Sequence, residues 1–542
     1  MPAIALAPAP GVAAGRETEL KFQVPPARRA AVERALGTVT AERHTLRARY
    51  FDTADGRLAA AGLAWRLRQQ DGRWRQTLKA RGDGVWQRLE DEVLLPADAG
   101  DPPPIDPARH DGTEVGRQLR RALAGAGPLE LRHASEILRV TRVLRNAGAR
   151  VEVALDVGTL EVGSRRRELV ELEFEFLGGV AGTSSAAMLA LAARWVDRFG
   201  LWLDPATKAA RAGWLADGLS APPVVMAVPT PVAADLPLAK ARSVMVGATL
   251  AHALPNAAAL AGGDGAAGHV HQLRVALRRL RSVLHALGPP DAARDAALRM
   301  LFTALGTARD ADVGPATLAP ARAAATAAGV VVPPPAAAAP APETGAIVAL
   351  LAAPASTRLW LDLLRLTIEG PAAPEPAAPA SSVNPADSSA DSLADPAQNW
   401  AAVAAPLLAR WRRQARRDAK AWPTLDTAGR HRLRRRLKRV RYLLEFSTLL
   451  WSAKALRQDL RALKALQERL GEWHDAVLAQ ATLAPVVPVD PAAAFVAGWL
   501  ARETVATERR CAKAAARWAR VKSPTLRTSV AARLRQHRRT PR

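Results

Sequence analysis

Glu17-Thr18-Glu19-Leu20-Lys21 decides how the first half of this chain is read. The three charged residues lie two apart, so an extended strand points all of them to one face. Such a face is expensive inside an ordinary core. Glu171, Glu173 and Glu175 repeat the pattern near the end of the same region, alternating with Leu172, Phe174 and Phe176. The apolar set faces a core, and the carboxylates face something wet and polar.

Basic residues recur at the same period between these acidic strands. Arg66 and Arg68 come first, then Arg75 and Lys79 flanking Thr77, then Arg88 with Glu90 and Glu92, and later Arg139 and Asp156. If the sheet curls into a closed antiparallel barrel, these faces line its interior as a charged tunnel. Small barrels normally fill their middle with apolar side chains. Lining it with both signs suits a polyanion bound through divalent cations, since Arg and Lys neutralise phosphate oxygens while carboxylates hold hard metals. A triphosphate with its metal meets both demands.

Strands are expected at Ala64 to Leu67, Trp74 to Lys79, Trp86 to Leu94, Ile137 to Leu144, Arg150 to Val162 and Glu168 to Phe176. Asp55-Gly56, Asp71-Gly72 and Gly82-Asp83-Gly84 are turn signals between them. Helices are fewer here, chiefly Pro26 to Leu36, Gly112 to Ala124 and Ser185 to Phe199. The fold class is α+β: a closed antiparallel eight-stranded β tunnel with flanking helices over 16–219, followed by an all-α, duplicated helical domain over 239–527. Residues 1–15 read as disordered, 220–238 as a Pro-rich linker, and 528–542 as a loose basic tail. Low-complexity insertions at 315–342 and 371–396 are not expected to pack.

Composition narrows the partners. The 542 residues carry 76 basic and 51 acidic side chains, a formal net charge of +25. Residues 1–220 hold 32 basic and 28 acidic groups, whereas the remainder holds 44 and 23, so the excess sits in the second half and predicts an anionic partner. Arg outnumbers Lys 66 to 10, which makes the ammonium groups of Lys21, Lys79 and Lys208 informative. Cys511 stands alone, so no intramolecular disulfide or cysteine zinc site forms and a reducing compartment is the natural reading. Without a signal-like start or a bilayer-length apolar run, the chain is expected to be cytoplasmic and not in a membrane.

The second half contains a repeat. His271, Arg274, Arg278, Arg279 and Arg281 recur 160 residues later as His431, Arg434, Lys438, Arg439 and Arg441. Leu305-Gly306 with Arg309-Asp310 recurs 165 residues later as Leu470-Gly471 with His474-Asp475. On a helix, His271, Arg274, Arg278 and Arg281 share a narrow arc beside the apolar stripe of Leu273, Leu277, Leu280 and Leu284. A duplicated basic stripe suits a long polyanion, with affinity that falls as salt rises.

The ordered set Glu17 to Lys21, Tyr50-Phe51-Asp52-Thr53, Ala64-Trp65-Arg66-Leu67-Arg68, Gln76 to Lys79, Arg88 with Glu90 and Glu92, the Asp156-Val157-Gly158 turn, Glu171-Leu172-Glu173, and Lys208 before Arg211 resembles the CYTH domain, the triphosphate tunnel metalloenzymes. The resemblance implies catalytic roles for Glu17, Glu19 and Lys21. It implies Mg²⁺ or Mn²⁺ held by Glu17, Glu19, Glu171 and Glu173, and phosphates bound by Lys21, Arg66, Arg68, Lys79, Arg139 and Lys208. Arg142 is close enough to take the place of Arg139, and Glu152 and Asp156 are further candidate metal ligands. The helical half is similar to the CHAD domain through Val270-His271 to Arg281, Arg309 to Asp312, His431 to Tyr442, Leu466-Gln467 and His474-Asp475. That implies inorganic polyphosphate as partner, bound by His271, Arg274, Arg278, Arg281, His431, Arg434, Lys438 and Arg441, and leaves open a place on polyphosphate granules.

The expected activity is hydrolysis of inorganic triphosphate (tripolyphosphate). Class IV adenylate cyclase and organic triphosphatase (thiamine triphosphate) remain alternatives, as does a non-catalytic polyphosphate or nucleic-acid binder. With Phe and Tyr totalling ten, stacking platforms for single strands are scarce.

Overall fold

The period-two pattern becomes a ring of strands in the computed structural model, which describes residues 15–82, 86–180, 184–288, 291–330, 344–368, 398–483, 487 and 491–539. The strands are β1 (Arg16–Gln23), β2 (Glu42–Thr53), β3 (Leu63–Gln70), β4 (Arg73–Arg81), β5 (Gln87–Leu94), β6 (Leu129–Asn146), β7 (Ala149–Val162), β8 (Arg165–Gly179) and the short β9 (Trp202–Leu203). Their order is β5-β4-β3-β2-β6-β7-β8-β1-β9, and β1 also pairs with β5, Glu17 opposite Arg88. Eight antiparallel strands therefore close into a barrel with β9 appended to β1.

Tight turns set the register. Asp71-Gly72 joins β3 to β4 with φ of 51° and 74°, and Ala147-Gly148 joins β6 to β7 with φ of 44° and 79°. Positive φ at both central residues matches the twist of a two-residue hairpin. Asp156-Val157-Gly158, matched above as a turn, lies instead within β7, paired to β6 and β8. Gly158 is needed there because a Cβ would fall 2.0 Å from the Glu136 carbonyl oxygen. β2 is a strand that the alternation did not single out, since Arg43, Arg47 and Arg49 are exposed while Leu46, Ala48 and Tyr50 are buried.

The barrel buries both faces of its wall. Outward, Phe22 meets Phe174 edge-on at 5.5 Å, and Phe174 meets Trp195 of the helix Ala186–Phe199 at 5.9 Å. Elsewhere Leu63, Trp65, Leu78 and Ala80 pack with Leu58, Val115 and Leu119. In β1, β3, β4 and β8 these apolar outer faces take up the hydrophobic half of the alternation and leave the charged half inside, whereas β2 turns Arg43, Arg47 and Arg49 outward.

By contact, the chain forms two units. One comprises Met1–Met226, Leu250–Leu273 and Gly345–Ile368, and the other Ala227–Thr249, Arg274–Thr344 and Glu369–Arg542. In the second unit the helices Ala292–Ala327, Ala453–Leu483 and Pro491–Arg520 share a core of Leu318, Ala321, Ala325, Ala479, Val496 and Leu500. The first part of the 315–342 segment is thus packed helix up to Ala327, because its alanines favour helix and offer a small-residue face. Residues 331–343, the 371–396 insertion and residues 1–14 lie outside the described residues. The 528–542 tail is helical over Thr528–Arg539, with Arg533 ion-paired to Asp235 at 3.1 Å.

Among the described residues, one helix, Leu238–Ala261, is long and apolar enough to cross a membrane, and 78% of its most apolar window is buried in the protein.

Candidate functional site

Register places the inward charges opposite one another. Lys21 of β1 faces Glu173 of β8, and Glu19 faces Glu175. Asp156 of β7 faces Glu171 of β8 and Arg139 of β6, while Glu152 faces Glu175. Arg139 donates from Nε and Nη2 to the two Asp156 oxygens, each at 2.6 Å, and from Nη2 to Glu173. Arg142 has the opposite strand parity and makes none of these contacts. Lys208 begins the helix Lys208–Ala216, where a cation sits at the positive end of the helix dipole. Carboxylates offset this: its ammonium lies 2.7 Å from Asp156 and 2.9 Å from Glu173, and donates to Glu171.

The ring continues around the lumen. Lys79 donates to Glu17 at 2.6 Å and pairs with Glu90 at 3.2 Å, and Arg88 donates to Glu19 at 2.6 Å. Lys21 donates to Glu19 at 3.0 Å and to Glu173. Arg68, Arg75 and Thr77 all donate to Glu92 at 3.0 Å. Arg66 donates to the Tyr50 hydroxyl at 3.3 Å, and the Nε groups of Arg66 and Arg68 are buried without a hydrogen-bond partner. The sequence-expected set of Glu17, Glu19, Lys21, Arg66, Arg68, Lys79, Arg139, Glu171, Glu173 and Lys208 therefore converges inside one barrel. Tyr50 and Glu175 join it without having been singled out as site residues, although the spacing of Glu175 already marked it.

Burial splits the carboxylates. It pushes Glu17 up to about 7, an effect Lys79 offsets only in part, and pushes Glu175 up to about 8 with help from the Glu17 charge. Burial also raises Glu171. Against the same burial, Lys21, Lys79 and Arg88 hold Glu19 at about 2. Lys208, Lys21 and Arg139 hold Glu173 well below its ordinary range, and Arg139 and Lys208 lower Asp156. The lumen thus contains both carboxylates poised near neutrality, Glu17 and Glu175, and carboxylates held ionised, Glu19, Glu173 and Asp156.

Asp156, Glu171 and Glu173 each offer a carboxylate oxygen within 4.8 Å of the others, and all three are buried. Glu171 Oε2 is buried without a hydrogen-bond partner. An all-oxygen set with an unsatisfied acceptor fits a hard divalent cation. Among the described residues this triad is the group with metal-ligand spacing; Glu17 and Glu19 lie in the same lumen, paired with Lys79, Arg88 and Lys21. Asp156 and Glu171 are neighbours only through strand register, a relation no spacing along the chain displays.

The second unit gathers cations differently. Arg274 and Arg278 lie over the Phe302 ring at 4.7 and 5.4 Å. Burial, then Arg278 and Arg274, lower Arg434, which also senses Asp475. Burial, then Arg434, His431, Arg274 and Arg278, push His474 down to about 4. The His431 ring lies 4.9 Å from that of His474. The two stripes therefore meet at Arg274, Arg278 and Arg434. Arg281 is held by Asp295 at 2.9 Å, and Arg441 by Glu445 at 2.7 Å and Gln467 at 3.2 Å. Lys438 is half-buried on the helix Thr427–Phe446, and exposed His271 falls in the first unit, whose boundary lies between Leu273 and Arg274.

Comparison with known proteins matches residues 15–181 to the CYTH domain and residues 245–484 to the CHAD domain. Similar solved structures include a CHAD domain from the plant Ricinus communis, with 24% identity over 56% of this chain and 99% of that one and a TM-score of 0.40. A Hippeastrum protein described as an adenylyl cyclase with a dominant triphosphatase activity shares 20% identity over 38% of this chain and 98% of that one, with a TM-score of 0.29. An adenylate cyclase-like protein of Bacillus halodurans shares 17% identity over 36% and 95%, with a TM-score of 0.26.

Proposed function

For this chain, a CYTH domain followed by a CHAD domain, we propose metal-dependent hydrolysis of inorganic triphosphate in the barrel, with inorganic polyphosphate bound by the basic cluster of the helical unit. The observation that carries the reading is the buried Asp156-Glu171-Glu173 triad, whose Glu171 Oε2 has no hydrogen bond and lies 4.0 Å from Arg211 Nε, set among Lys21, Arg139 and Lys208.

Asp156, Glu171 and Glu173 would hold Mg²⁺ or Mn²⁺, which supplies neutralisation of phosphate oxygens when bound. Lys21, Lys79, Arg139 and Lys208 each exchange a carboxylate partner for a phosphate oxygen as the substrate enters. Arg66 and Arg68 bring buried, unpartnered Nε donors to the same lumen. These positions are set before the substrate arrives, so little reorganisation opposes the charge that develops on the departing diphosphate. Water attacks the terminal phosphorus, the anhydride P–O bond breaks, and the products are phosphate and diphosphate. Glu17, held near 7, is the lumen carboxylate suited to accept the proton of that water.

The test is phosphate release from tripolyphosphate, ATP and thiamine triphosphate with and without Mg²⁺ or Mn²⁺. The wild type should turn over tripolyphosphate fastest and only with metal. Glu19→Ala, Lys21→Ala and Glu173→Gln should each lose about 100-fold or more. Preference for an organic triphosphate would move the assignment to that class, and diphosphate release from ATP without phosphate would indicate cyclisation. Turnover that survives all three substitutions ends the proposal.

A further inference from the structure

Lys208 and Arg211 lie three apart in the helix Lys208–Ala216, so one face of that helix carries both toward the acidic triad. Lys208 meets all three carboxylates, whereas Arg211 approaches Glu171. Its Nε stands 4.0 Å from Glu171 Oε2, beyond hydrogen-bond reach. Neither atom makes a hydrogen bond, although Glu171 is 0% and Arg211 8% exposed. Buried polar groups are ordinarily satisfied, so a gap between two opposite charges calls for a cause.

The cause is Asp204. Its Oδ2 accepts from Arg211 Nη2 at 2.6 Å and from Gln23 Nε2 at 3.3 Å, and its Oδ1 accepts from the Ala206 N–H at 2.9 Å. Its own N–H donates to the Lys21 carbonyl at 2.9 Å. Gln23 is the residue of β1 opposite Glu171 of β8. Asp204 is therefore tied to β1, and it draws the guanidinium away from Glu171. Every other carboxylate oxygen of the triad accepts a hydrogen bond from Lys21, Arg139 or Lys208.

We propose that Arg211 is a positioning residue whose guanidinium and the divalent cation are alternative partners of Glu171 Oε2, with Asp204 setting the balance between them. The inference rests on the metal site of the hydrolase reading and adds its regulation. A carboxylate oxygen satisfies either a guanidinium N–H or a hard cation. Turning the 4.0 Å separation into a hydrogen bond takes a shift of about 1 Å, within reach of a side chain. While Asp204 holds Arg211, Glu171 Oε2 is left to the metal. Once released, Arg211 closes on that oxygen and competes for it.

The experiment titrates Mn²⁺ alone into the full-length protein and reads free Mn²⁺ by electron paramagnetic resonance. Glu171→Gln identifies the site, since binding that persists in this variant lies elsewhere. Arg211→Gln should bind Mn²⁺ about tenfold tighter than the wild type, because the competing cation is gone. Asp204→Asn should bind it about tenfold weaker, because the guanidinium is released toward Glu171. The double variant should match Arg211→Gln, as Asp204 acts through Arg211. It also leaves neither of the two charges buried without the other, and so carries the same expectation if Arg211→Gln folds poorly. A merely structural role would weaken Mn²⁺ binding in both single variants. Affinity that is unchanged in the folded variants, or that moves the same way in Arg211→Gln and Asp204→Asn, overturns the inference while sparing the hydrolase. Opposite shifts in a protein that hydrolyses no triphosphate support the inference and overturn the hydrolase, and a wild type that binds no Mn²⁺ at Glu171 overturns both.

Discussion

The barrel lumen and the helical cluster both concentrate Arg and Lys, but they differ in what the cations face. In the lumen Lys21, Lys79, Arg88, Arg139 and Lys208 each meet a carboxylate. In the helical unit Arg274, Arg278 and Arg434 converge on one another and on His474, with Asp475 as the carboxylate felt by Arg434. A balanced site discriminates, since it favours a ligand that brings both negative oxygens and positive metal. An unbalanced one attracts any polyanion, and needs no metal to do so. Under the proposed function, the same residue types serve chemistry in one unit and capture in the other.

Removing a cation separates the two most sharply. Lys208→Met leaves Asp156, Glu171 and Glu173 facing each other, so it should abolish turnover and lower stability by about 3 kcal/mol in denaturant titration. Millimolar Mg²⁺ should recover part of that stability by replacing the ammonium; absence of recovery would deny the triad its metal. Arg278→Ala with Arg434→Ala should do the reverse. Polyphosphate affinity should fall about tenfold or more by equilibrium titration, while relief of like-charge repulsion leaves stability equal or higher.

Salt gives a graded version of the test. Polyphosphate binding should weaken as ionic strength rises, and each arginine removed from the cluster should reduce the slope of log K against log salt by about 1. A slope indifferent to Arg278 and Arg434 would place the polymer elsewhere.

The smallest effect is in pH. His474 is held at about 4, below the ordinary imidazole value, so without ligand it is neutral above pH 5. A depressed folded value means that the free protein loses stability as pH falls from about 6.5 through 4. A bound polyanion favours the imidazolium, so polyphosphate affinity should rise by less than about tenfold from pH 7 to pH 5, with proton uptake. His474→Gln should flatten that rise in calorimetry.

Much of this was legible along the chain. The alternation of Glu17, Glu19 and Lys21, and of Glu171, Glu173 and Glu175, needs only the period of a strand. The scarcity of Lys drew attention to three ammonium groups that all reach the lumen. Other features lie across strands or between distant segments. Asp156 joins Glu171 through register, β2 is disguised by its exposed arginines, and the Ala-rich run to Ala327 is a helix because a partner core awaits Leu318 and Ala325. Arg281 and Arg441 fit their stripes by spacing, yet are occupied by Asp295 and Glu445.

The order of residues by itself determined which side chains share a face, because strand and helix periods are local properties of the backbone. It also determined the two-part plan and the sign of the partner, through charge and repetition. Only the tertiary structure decided which faces meet: that Asp156 completes an acidic triad, and that Arg274, Arg278 and Arg434 crowd together. Such pairings depend on closure of the ring and on packing of segments far apart in the chain, and burial then sets how strongly each charge acts.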